Sequence, residues 1–168
     1  MVWLIVLSGY PKSGKTTISK KLTKSIEKCA RIGSDNLRDM LFGEVYPCRD
    51  ELLIWELIKE LSIKLQKKGY SVIIDSTAPG NDLRRKLLEV AIDRKLLLVV
   101  RASEEAIRAR GGSELLTTWK RFWEEPEVEA DIILDERCEE PEDIERIVDK
   151  LKMIITSENS IKTSNDNL

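Results

Sequence analysis

Short apolar runs alternate along the chain with longer stretches whose apolar residues recur every three or four positions. Residues 2–7 form an unbroken apolar run, as expected of a strand covered on both faces. From 16 to about 29 the positions Ile18, Leu22 and Ile26 repeat at helical spacing. A short strand is expected at 30–33, then a helix over 35–42 with Asn36 and Arg38 in its first turn. A turn at 43–47 leads into an amphipathic helix at 50–68, closed by Gly69. Residues 71–75 read as another buried strand, 79–81 as a loop, 82–94 as a helix and 96–100 as a strand. Ser103 caps a helix to about Arg110, Gly111 and Gly112 break it, and another runs over 113–123. A fifth strand is expected at 130–134 and a last helix at 141–155. Such alternation predicts an α/β fold, three layers α/β/α around a five-stranded, mostly parallel sheet. The expected organisation is one domain over 1–156 with a short lid near 108–123, then a polar, flexible tail at 157–168.

Composition and charge change this picture. The 28 Lys+Arg against 30 Asp+Glu leave a net charge of −2, so no general basic footprint for nucleic acid exists. Cys29, Cys48 and Cys138 are odd in number and form no CxxC pair, which points to free thiols and a cytoplasmic location. The apolar start is too short to span a membrane and lacks a positive leader, so no membrane partner is expected; a monomer or a homodimer fits. The sequence contains no histidine. A general base must then be a carboxylate, lysine, tyrosine or cysteine, and imidazole metal sites are excluded.

The candidate chemistry begins where the first strand ends. Gly9-Tyr10-Pro11-Lys12-Ser13-Gly14-Lys15-Thr16 fits the phosphate-loop pattern G-x-x-x-x-G-K-S/T. Glycines let backbone N–H groups turn inward around anionic phosphates, and Lys15 sets a point charge against the β- and γ-phosphates. The Thr16 hydroxyl suits Mg²⁺, and the helix that opens through Thr16 and Thr17 presents its positive end. The expected ligand is ATP with Mg²⁺. No guanine-reading NKxD motif is visible, so a small kinase leads over a GTPase.

Asp75 ends an apolar strand, the placement of a carboxylate that holds Mg²⁺ or its water beside a phosphate loop. Asp35 follows the second short strand, with Arg38 three residues on along the same helical face. Asp35 suits a base that accepts a hydroxyl proton, and Arg38 suits a grip on the acceptor or the moving phosphoryl group. Equally, Ser34 or Asp35 caps a helix and Arg38 is a solvated charge.

Together GYPKSGKT, GSDNLRDML, VIIDST and LRRKLLEVA resemble the P-loop kinases that include polynucleotide 5′-hydroxyl kinase and L-seryl-tRNA(Sec) kinase. VVRASEEAIRARGG is similar to that group's strand, helix and lid entry, and the likeness runs in order over roughly 2–150. It implies Asp35 as base and Arg38 as acceptor or phosphoryl contact. Ala78 stands where the group often has Asn, and the lid is short. Arg110, beside the two glycines, is the first candidate for a lid arginine and Arg108 the second. The group's tRNA-binding extension has no counterpart here, so the expected acceptor is a hydroxyl on a small molecule or on an RNA or tRNA end. Trp119, Phe122 and Trp123 read as core or a dimer contact before a base-stacking platform, and Arg84 and Arg85 as a solvated helix face. The rivals are a nucleoside monophosphate kinase and a nucleotide-dependent switch with no acceptor.

Overall fold

Two-residue alternation splits the strands' apolar side chains between two faces. On one face, Trp3, Ile5, Leu7, Ile73, Leu96 and Leu98 meet helix residues Ile18, Leu22, Ile147 and Leu151. On the other, Leu4, Val6, Val72, Ile74, Leu97 and Val99 meet Leu37, Ile54, Ile58 and Leu87. Burying each such side chain is worth about 1.5–3 kcal/mol, so the two clusters hold the three layers together.

The computed structural model describes residues 1–162. Its elements are β1 (Trp3–Ser8), α1 (Lys15–Ser25), β2 (Cys29–Gly33), α2 (Ser34–Phe42), α3 (Glu51–Lys67) and β3 (Ser71–Asp75). Then come α4 (Asn81–Leu88), β4 (Arg94–Arg101), α5 (Glu104–Ala109), α6 (Ser113–Phe122), β5 (Ile132–Arg137) and α7 (Pro141–Lys162). The sheet order is β2-β3-β1-β4-β5, with every pairing parallel. The expected α/β/α sandwich is therefore the fold, its sheet wholly parallel. Helices α1 and α7 pack on one face and α3 and α4 on the other, so the carboxyl ends of the strands form one open edge where such folds bind ligands. Among the described residues no helix is long and apolar enough to cross a membrane.

Several expected boundaries move. The first helix ends at Ser25 rather than near 29, because Lys28 turns left-handed at φ 51° and Cys29 already pairs with Ser71. The helix expected over 82–94 stops at Leu88. There the Gln66 amide takes over the turn, donating to Val90 O at 3.0 Å and accepting from Ile92 N at 2.9 Å. The next strand then starts at Arg94, opposite Trp3. The fifth strand lies at Ile132–Arg137 rather than 130–134, since its polar end is held: Asp135 by Arg101, and Glu136 by Arg146 and Lys150. Helix α7 runs on to Lys162 instead of ending near 155, and the rest of the expected tail lies outside the described residues.

Candidate active site

The phosphate loop bridges β1 and α1 at the open edge. Two of its glycines have no substitute. A Cβ on Gly9 would stand 2.3 Å from Val100 O, and one on Gly14, at φ 110°, would stand 2.9 Å from Cys138 Sγ. Lys12, at φ 67°, takes the left-handed conformation, and Ser13 N donates to Tyr10 O at 3.1 Å to close the loop. Gly9 N donates to Thr77 O at 3.0 Å and Ser8 Oγ to Ala78 O at 2.9 Å, tying the loop to the segment after β3. Pro11 is half-buried, while Thr16 and Thr17 are exposed on the first turn of α1. Tyr10 packs edge-on against Trp123 at 5.2 Å.

Lys15 is drawn into this loop. Its ammonium donates to Gly9 O and Tyr10 O, both at 2.7 Å, and lies 3.3 Å from Ser13 Oγ. Burial is the main influence on it and pushes its pKa down to about 8, against the raising effect of Asp75 and then Asp35. A buried ammonium held only by neutral oxygens is a site that gains from an anion.

Asp75 ends β3 next to β1, beside the loop. Its carboxylate accepts from Ser19 Oγ on α1 at 3.1 Å and from Arg31 on β2 at 2.5 Å. Ser19 Oγ is also 3.0 Å from the Thr16 backbone carbonyl, so the first turn of α1 lies beside Asp75. Thr16 and Asp75 both offer oxygen donors and Asp75 carries charge, a set that suits Mg²⁺, which prefers one or two carboxylates plus phosphate oxygens and water. Among the described residues no group of three or more acidic or thiol side chains offers an all-protein metal cage.

Asp35 stands on the first turn of α2, its side chain 88% exposed. The cap position of α2 is Gly33, without a side-chain cap bond, so neither Ser34 nor Asp35 is a helix cap. Arg38, by contrast, is buried. It donates to Asp35 Oδ1 at 2.8 Å and to both oxygens of Glu51 at 2.9 and 3.1 Å. Its guanidinium lies 5.1 Å from the Tyr46 ring and 5.6 Å from Trp55. Arg38 thus fixes Asp35 and pins α2 to α3. Its replacement by alanine is expected to cost about 2–3 kcal/mol in urea unfolding, below the usual loss for a buried pair because Glu51 keeps some water contact. Lysine, which cannot fork, should recover less than half of that loss.

Arg110 braces the loop from outside. It donates to Lys12 O at 3.1 Å and to Cys138 O and Glu139 O at 2.9 Å each. Arg108 is exposed and pairs with Glu104. Of the aromatic trio, Trp123 joins the core side of the sheet, while Trp119 meets Tyr46 at 5.3 Å and Phe122 at 6.3 Å, linking α6 to the α2–α3 connection.

Arg84 departs from its expected solvated place. It is fully buried, donates to Ser8 Oγ, Asn81 Oδ1 and Glu124 O at 3.1, 2.9 and 2.7 Å, and lies 4.7 Å from the Trp123 ring. It locks the exit of α6 to the end of β1. The periodicity carried the signal: Asn81, Arg84, Leu87 and Leu88 share the buried face of α4. Arg85 is exposed, as expected. Arg31, a charge inside the short strand C-A-R-I-G, and Glu51, thirteen positions from its partner, are the site residues that sequence reasoning missed.

Solved structures share this architecture. A sugar kinase from Janibacter sp. HTCC2649 superposes with a TM-score of 0.70, at 19% identity over 94% of this chain and 95% of that one. Kti12 of Chaetomium thermophilum, solved with ADP-AlF3, gives 0.67 at 19% identity, covering 90% of this chain and 98% of its own. The Mycobacterium tuberculosis APS kinase CysC, solved with AMPPNP and APS, gives 0.65 at 16% identity, covering 90% and 98%. At these identities the likeness is one of fold. The profile of the AAA_33 family, described as an AAA domain, matches residues 4–112, well over half of the sequence, and the chain belongs to that family.

Proposed function

We propose that the protein is an ATP-dependent phosphotransferase that moves the γ-phosphoryl group to an acceptor hydroxyl. The observation that carries this reading is the pairing of a phosphate loop closed on a buried lysine with an exposed carboxylate, Asp35, held by a buried arginine at the same sheet edge. The fold shared with a sugar kinase and an APS kinase supports it.

The backbone N–H groups of Gly14 to Thr17 and the Lys15 ammonium bind the phosphates, and Lys15 exchanges its carbonyl partners for phosphate oxygens. Thr16 and Asp75 would hold Mg²⁺, which would offset the negative charge of the phosphates during transfer. Asp35 accepts the proton of the acceptor hydroxyl as its oxygen attacks the γ-phosphorus and the bond to the β-phosphate oxygen breaks, releasing ADP, and Arg38 keeps the carboxylate in place. Arg110 is the lid-side cation nearest the loop and supports it at Lys12. The acceptor is a small hydroxyl compound or the end of an RNA or tRNA, as the resemblance to seryl-tRNA and polynucleotide kinases suggests.

Incubation with γ-labelled ATP and a panel of nucleosides, small alcohols, sugars, 5′-hydroxyl RNA, seryl-tRNA and nucleoside monophosphates tests the reading. Label is expected on a hydroxyl compound. Label on the phosphate of a monophosphate would replace the hydroxyl reading, and label on none of them would end the phosphotransferase reading.

A further inference from the structure

Asp75 has a partner that phosphate chemistry does not call for. The Arg31 and Asp75 side chains are 16% and 5% exposed, and Arg31 Nη2 and Nε reach Asp75 Oδ2 at 2.5 and 3.1 Å. Nε also lies 2.9 Å from Ser19 Oγ, which is itself 3.1 Å from the same Oδ2. A second anchor, Nη1 to Asn36 Oδ1 at 3.1 Å, holds the guanidinium on the α2 side. Every hydrogen bond to the Asp75 carboxylate ends on its Oδ2, and among the described residues none reaches its Oδ1. Among the described residues, the buried carboxylate beside the phosphate loop is therefore already paired with a cation, with its Oδ1 left over.

A fixed positive charge a few ångströms from a cation site repels a divalent ion and competes for the same carboxylate. We propose that Arg31 is a resident counter-cation that weakens divalent metal binding at Asp75, so that metal retention depends on the nucleotide's phosphates rather than on the protein's own charge. This rests on the phosphate-loop reading above. A merely structural role, tying β2 to β3 and α1, would leave metal affinity unchanged when Arg31 is replaced.

The test is titration of Mn²⁺ into the protein saturated with ADP, with free Mn²⁺ followed by electron paramagnetic resonance. Arg31→Met and Arg31→Gln should each bind Mn²⁺ at least about tenfold more tightly than the wild type. Arg31→Lys, which keeps the charge, should stay within about threefold of it. Adding Asp75→Asn to either neutral variant should abolish the gain. Gln retains a hydrogen-bond donor toward Ser19 and Asp75, so it serves where Met fails to fold. Wild-type or weaker Mn²⁺ affinity in the folded neutral variants overturns the inference while ADP binding stands. Failure of the wild type to bind ADP overturns the phosphate-loop reading, and the inference with it.

Discussion

A Lys15→Met variant is expected to lose phosphoryl transfer by about 10²–10³-fold, the usual cost of removing one preorganised charge or donor from a transition state. The same variant separates two opposite pressures on that side chain. In the ligand-free protein the ammonium is buried against carbonyl oxygens, and burial lowers its pKa from the usual 10.5 to about 8. The folded state then binds fewer protons than the unfolded chain between about 8 and 10.5, so the lysine's contribution to stability rises with pH across that window and is at its lowest below it. Phosphates reverse the balance, because an adjacent anion favours the charged form. Nucleotide binding above pH 8 should therefore take up a proton, and affinity should fall with rising pH by up to about tenfold per unit. Calorimetry at pH 9 in two buffers of different ionisation enthalpy measures that uptake. Wild type should show it and Lys15→Met should not; equal profiles would remove Lys15 from the phosphate site.

An Asp35→Asn variant is expected to lower kcat by about 10²–10⁴-fold while changing ADP affinity by less than about threefold. Asp35 is exposed, does not cap its helix and receives a single bond, from Arg38. Asparagine keeps the shape and an oxygen for Arg38 but cannot accept the proton. Little stability should be lost, under about 1 kcal/mol for a carboxylate in a helix's first turn. A drop in melting temperature that tracks the loss of activity would mark Asp35 as structural.

What the sequence revealed about this site was local in origin. The runs at 2–7 and 71–75 identify themselves because both faces of a central parallel strand are buried, and the phosphate loop because its glycines and lysine are adjacent in the chain. Asp75 stood out because it ends such a run. The missing parts depend on residues far apart in the chain. Gln66 ends α4 from twenty-four positions away, and Arg110 bonds carbonyls twenty-eight and twenty-nine positions on. Arg38 looked like a free acceptor grip because nothing near it in sequence announces Glu51, Tyr46 or Trp55. The placement of Arg84 is legible in the sequence: its helical spacing with Leu87 and Leu88 turns it inward, against the general preference of arginine for water.

The most direct measurement is the fate of the γ-phosphoryl group in a single turnover. Excess protein is mixed with γ-labelled ATP and the best acceptor of the panel, and the label is divided between acceptor ester and inorganic phosphate. The ester is expected to predominate in the wild type, and Asp35→Asn to lose it at least a hundredfold without loss of ADP binding. Label released only to water, at the same rate in both proteins, would contradict the phosphotransferase reading.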